Sequence, residues 1–190
     1  NPTKPDNNHT HGAQIDCGSV ASWRIDHLQN IGHSLTETAA RIPNQTAVAC
    51  PTSGQAKRVP SGGQLSYNRI SFYELEQRSN RIANQLKTAG INVGTRVALM
   101  VPPGIDFVAH VFALYKTGAI TILIDPGMGR KNMIRCLAAA NPDSMVGIRK
   151  AHLARCVFRS KLRCCRINVS TDGWFPCCHR TDRLPADGAT

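Results

Sequence analysis

Three short apolar runs, spaced by segments of helical period, constrain this chain more than any other feature. Arg96 to Val101 lies between Gly94 and Pro102-Pro103, a length and setting that predict a buried strand. Ala119 to Ile124 is nearly all β-branched or aliphatic, and Ser144 to Ile148 is a third strand candidate. Between the first two, Phe107, Val108, Val111, Phe112 and Tyr115 repeat at helical spacing over Ile105 to Thr117, and Gly118 ends the segment. Arg130 to Ala140 reads as another helix, closed by Asn141-Pro142. Strand, helix, strand, helix, strand with short links predicts an α/β fold. Its parallel strands are joined by right-handed crossovers, with helices covering the sheet.

The best-marked helix lies upstream. Ser71 with Glu74 three residues later forms a capping box, and Leu75, Ile82, Ala83, Leu86 and Ala89 then repeat until Gly90. A shorter helix is expected from Ile31, with Ser34 as its cap, Leu35, Ala39 and Ile42 on one face, and Pro43 beyond its end. Ala47 to Cys50 is a strand candidate, and the Pro- and Gly-rich stretch from Pro51 to Gln64 reads as a loop. Residues 1–30 are expected to be a flexible leader, polar and rich in Asn, His, Thr and Gly at the start. No internal repeat is found.

With 190 residues, 42% of them hydrophobic, the chain can build one ordinary domain. No apolar run approaches the roughly 18 residues of a membrane span. Asn1 to Gly12 lacks a signal-peptide core, so a cytoplasmic location is the default. The first residue is not Met, which leaves processing or an incomplete N-terminus open. A formal charge of +11 would suit nucleic acid or an anionic surface. The basic residues are scattered, however, and no stacking motif or basic helix accompanies them, so no nucleic-acid partner is expected.

Beyond about Phe158 the character changes. Arg159 to Thr190 mixes Arg, Cys, Pro and Asp with no sustained period, and looks like neither a strand nor a helix that finishes the sheet. Five of the eight cysteines crowd this end: Cys156, Cys164, Cys165, Cys177 and Cys178. Cys17, Cys50 and Cys136 stand alone. With no secretory signal, reduced thiols are the plainer reading than a disulfide framework. Cys164-Cys165 and Cys177-Cys178 with His179 invite a zinc reading, but directly adjacent pairs are awkward for one tetrahedral ion. The expected division is therefore a leader over 1–30, a partial domain over 31–158 and an aberrant or disordered tail over 159–190. Truncation or a reading-frame change would explain such a tail.

Three segments in order resemble the adenylate-forming (AMP-binding) superfamily of acyl-CoA synthetases, luciferases and peptide-synthetase adenylation domains. They are Ile70 to Ala83, Gly90 to Leu99, and Ala113 to Ala119 followed by a strand and Asp125-Pro126. Val101 to Gly104, Ile124 to Arg130 and Gly147 to Arg155 are similar to one branch, the fatty-acyl ligases and olefin β-lactone synthetases. The resemblance covers about Ile31 to Phe158. It implies a large N-terminal domain of parallel sheets flanked by helices, of which this chain holds an incomplete part, and a small mobile C-terminal domain. The implied reaction is ATP- and Mg²⁺-dependent activation of a fatty or β-hydroxy acid to an acyl adenylate with release of pyrophosphate.

That chemistry needs donors, a metal and a cation around the transferring phosphoryl group. The family supplies them through a Ser/Thr/Gly-rich loop ending in Pro-Lys, an acidic ATP-binding motif, a ribose-binding Asp and a C-terminal Lys, none of which stands in this sequence. No catalytic, cofactor-binding or metal residue is therefore assigned, and neither ATP nor Mg²⁺ is expected to bind this chain alone. Three readings follow: an inactive N-terminal portion, one half of a split ligase completed by a second chain, or a basic module for RNA or an anionic surface.

Other residues have plainer readings. Thr52 to Lys57 superficially echoes a phosphate loop but lacks its second glycine and Pro-Lys ending, and reads as a surface turn. Asp125 could ligate a metal at a strand's carboxyl end, although Asp125-Pro126-Gly127 more simply caps the next helix and shapes the turn. Gly127 and Gly129 make no dinucleotide fingerprint. His110 reads as a core or surface histidine rather than a pocket group, and Lys116 as a favourable charge at a helix end.

Overall fold

A computed structural model describes residues 30–52, 66–124, 128–158 and 165–181. The first helix, α1 (Ile31–Arg41), buries Leu35 and Ala39 as the periodicity predicts. Its cap is not Ser34 but Asn30, whose side chain accepts from Gly32 N at 2.9 Å. A cap must precede the helical turn whose free N–H groups it satisfies, and Ser34 already lies within that turn.

Strand β1 (Thr46–Pro51) contains the expected Ala47 to Cys50 run and pairs antiparallel with β2 (Tyr67–Ser71). Ser71 ends β2 and caps α2 (Phe72–Thr88). The capping box forms as expected: Glu74 N donates to Ser71 Oγ at 3.3 Å, and Ser71 N donates to Glu74 Oε2 at 2.8 Å. Those bonds from Ser71, the backbone one foremost, hold the Glu74 carboxyl below its ordinary value.

The α/β region follows with β3 (Arg96–Met100), α3 (Ile105–Thr117), β4 (Ile120–Leu123), α4 (Arg130–Ala140), β5 (Ser144–Gly147), α5 (Arg149–Val157), β6 (Ile167–Ser170) and β7 (His179–Arg180). One sheet runs in the order β4-β3-β5-β6-β7, and every neighbouring pair is parallel. The expected α/β class with a parallel sheet and flanking helices is therefore what the chain adopts.

The expectation that nothing beyond Phe158 finishes the sheet is corrected by β6 and β7. Val146 stands opposite Val169 in parallel register, and Val169 is buried. The sequence signal is weak because the alternation of Ile167 and Val169 with Asn168 and Ser170 lasts only four residues and is set among Arg, Cys and Asp. Asn168 is accommodated by donating to Cys165 O at 3.3 Å, and Thr171 N donates to Gly147 O at 3.0 Å.

Alternation along the strands sorts the two faces. Val97 and Leu99 of β3 and Val146 of β5 join the main core with Leu75, Leu86, Leu114 and other residues of α1, α2 and α3. Ala98 and Met145 face the other way, into a much smaller cluster with Leu137 and Cys165. Two glycines set close approaches. Gly118 ends α3 at φ +72°, where a Cβ would lie 2.9 Å from Val93 Cγ2; at Gly147 one would lie 2.8 Å from Met100 Cβ on the adjacent strand.

Candidate functional site

In an open parallel sheet, a crevice forms where neighbouring strands send their connections in opposite directions. Here β3 continues through α3 to β4 on one side, while β5 continues through α5 to β6 on the other. The carboxyl ends of β3 and β5 are that switch point. A groove of about 620 Å³ opens there, on the thinly covered face of the sheet, between residues of α4 and α5.

Its floor and walls are apolar, including Met100, Pro102, Leu123, Met133, Ala154 and Phe158, and its charged lining residues are Lys150 and Arg155 of α5. Neither cation forms an ion pair among the described residues. The Arg155 Nε is buried without a hydrogen-bond partner. Arg155 also acts on the Cys178 thiol, whose pKa is raised by burial despite the lowering effect of that guanidinium.

Such a lining binds apolar matter with one or two negative charges. Among the described residues the lining carries no carboxylate, hydroxyl or amide side chain. Among the described residues no group of three His, Cys, Asp or Glu side chains could hold a metal ion. Cys164 lies outside the described residues.

Of the remaining residues singled out in the sequence, none of the described ones lines the groove. Asp125, Pro126 and Gly127 lie outside the described residues, and the N-cap of α4 is Gly129, at φ +80°, with no side-chain cap bond. Of Thr52 to Lys57 only Thr52 is described; its Oγ1 lies 2.8 Å from Ser66 Oγ at the end of the β hairpin. His110 is a core histidine, as expected. Its Nδ1 donates to Asp106 O at 2.7 Å, its Nε2 is buried without a partner, and burial pushes its pKa down.

Lys116 does more than complement a helix end. Its Nζ donates to Glu76 Oε2 at 2.5 Å, Ser79 Oγ at 2.8 Å and Asn80 Oδ1 at 2.7 Å, all on α2. A second histidine, His152, was not singled out by sequence. It is fully buried, donates from Nε2 to Val169 O at 3.0 Å and stacks on Phe175 with ring centroids 5.6 Å apart, so it ties α5 to β6. A second hollow of about 460 Å³ lies by the amino ends of the strands, against Thr95, Asp143 and Arg166. Asp143 is occupied there, accepting from Arg96 N at 3.0 Å.

The family model described as AMP-binding enzyme matches residues 35–175, and the chain belongs to that family. The match runs past Phe158, so the resemblance does not end where composition changes. Within the family the chain is 37% identical over 131 residues to an olefin β-lactone synthetase of Stenotrophomonas maltophilia, covering 68% of this chain and 23% of that protein. It is 38% identical over 137 residues to the olefin β-lactone synthetase of Xanthomonas campestris pv. campestris, covering 72% and 24% respectively. It therefore spans about a quarter of the length of these relatives. Among solved structures, a coronafacic acid ligase from Pectobacterium brasiliense superposes with a TM-score of 0.63 at 19% identity, covering 80% of this chain and 28% of that one. A long-chain-fatty-acid-CoA ligase from Archaeoglobus fulgidus gives the same TM-score at 16% identity, covering 76% and 28%. These two likenesses concern the fold.

Proposed function

We propose that this chain is the N-terminal portion of an ATP-dependent ligase that activates a fatty or β-hydroxy acid as its acyl adenylate, and that it is inactive by itself. The observation that carries this reading is the 37% identity to an olefin β-lactone synthetase over a stretch equal to 23% of that enzyme. The second half of the reading follows from the same coverage, since the matched stretch is under a quarter of that enzyme. In this reading ATP, Mg²⁺ and the acyl substrate are bound by the intact ligase, which works in the cytoplasm. No described helix is long and apolar enough to cross a membrane.

A split ligase, with this chain completed by a second polypeptide, is favoured by one observation in particular. A parallel sheet is stable when both faces are covered, yet here one face carries the main core and the other an open groove. The test is a chimera in which residues 31–175 replace the matching segment of the Stenotrophomonas enzyme. Acid-dependent ATP–pyrophosphate exchange by the chimera is expected. A folded chimera without exchange would contradict the ligase reading.

A further inference from the structure

The groove at the carboxyl ends of β3 and β5 combines features that together describe its occupant. It exposes apolar side chains on a parallel sheet, which ordinarily buries both faces. It continues onto a sheet edge, because Leu123 both lines the groove and stands half exposed on β4, the outermost strand among the described residues, near half-exposed Ile120. Its charges, Lys150 and Arg155, are of one sign and lack a carboxylate partner among the described residues. Finally, the relatives extend over about four times the length matched here, so most of the polypeptide that accompanies this fold lies outside the chain.

We infer that this groove is the docking seat for the complementing part of the ligase, which lays an apolar segment bearing a carboxylate across it and pairs that carboxylate with Lys150 and Arg155. Apolar burial supplies the attraction, and the two cations fix orientation and favour encounter with an acidic partner. The inference rests on the ligase reading for the identity of the partner, but the seat itself is defined by the groove.

The experiment co-expresses this chain with the portion of the Stenotrophomonas olefin β-lactone synthetase that follows the matched stretch. It uses an Ala154→Cys variant whose labelling by a maleimide is followed by peptide mass mapping. Ala154 lines the groove on α5, while Cys50 on β1 lies outside it and serves as the internal control. The two polypeptides are expected to co-purify. Labelling at 154 should then slow at least about tenfold relative to the chain alone, with Cys50 unchanged, as for a side chain removed from solvent.

Lys150→Glu sits on an exposed residue and should leave the fold intact, yet it is expected to reduce capture about tenfold at low salt and to flatten its salt dependence. Failure to co-purify with a chain shown to be folded by circular dichroism would overturn the proposal. So would capture that leaves residue 154 as reactive as in the free chain. Protection of 154 in the chain alone, either rising with its concentration or produced by dodecanoate, would give the groove to a second copy or to a small amphiphile and likewise overturn it. ATP–pyrophosphate exchange is scored separately. Protected, co-purifying chains without exchange would uphold the seat and fell the ligase reading, while exchange with an unprotected groove would do the reverse.

Discussion

Lys116 Nζ of α3 lies 2.5 Å from Glu76 Oε2 of α2, and their side chains are only 12% and 10% exposed. All three ammonium protons are used, on Glu76, Ser79 and Asn80. The other carboxylate oxygen accepts from Thr36 of α1 at 2.9 Å and from Asn80 at 3.0 Å. Burial raises the Glu76 pKa, but the bonds from Lys116, Thr36 and Asn80 more than offset it, so the group ends below its ordinary value. The knot therefore joins three helices on the well-covered face of the sheet.

Removing one member strands the other charge. Lys116→Met or Glu76→Leu alone is expected to cost about 3–5 kcal/mol in urea unfolding. The double variant should cost much less than the sum, because both charges leave together. Additive losses would show that the pair is not coupled.

The buried histidines set an acid limit. Burial lowers the pKa of both His110 and His152 from the ordinary 6.5. The unfolded chain therefore binds protons more readily, and stability present above about 6.5 is lost as pH falls toward the depressed folded values. Each group contributes a slope of at most about 1.4 kcal/mol per pH unit. Below about 4.5, loss of the Glu76 carboxylate adds a second decline, since its pKa is also depressed. Unfolding titrations of His110→Met should show a shallower fall just below pH 6.5; an unchanged slope would contradict the assignment.

Much of the fold was legible because local signals and tertiary demand agree. The runs at β3 and β4 are dominated by aliphatic and β-branched residues, and Ser71 with Glu74 satisfies helix donors locally, so neither needed knowledge of distant contacts. Three elements gave no such signal. β2 is mostly exposed, with only Ile70 buried; α5 buries only His152; and β6 interrupts its apolar residues with Asn168 and Ser170. The role of Lys116 was hidden for a different reason. Glu76, Ser79 and Asn80 fall on one row of α2, a polar row amid apolar spacing that hinted at a buried partner, but only the packing of α3 on α2 names it. The groove was invisible in sequence because its residues come from separate elements that only the strand order brings together.

The status of the final segment can be checked by one substitution. Val169 is 1% exposed on β6, so Val169→Ala should cost about 2 kcal/mol. An aberrant tail detached from the sheet would lose nothing.

Gly118 offers a backbone test. At φ +72° with Val93 in van der Waals conflict, Gly118→Ala should destabilise by about 1–3 kcal/mol. Gly94, also at positive φ but with open space around it, should cost less on the same change.

The most direct measurement is ATP–pyrophosphate exchange by the purified 190-residue chain, supplied with Mg²⁺, ATP and a panel of fatty and β-hydroxy acids. No exchange above the protein-free background is expected, because the matched stretch is only about a quarter of the related enzymes. Acid-dependent exchange by the chain alone, abolished by a substitution within it, would contradict the account.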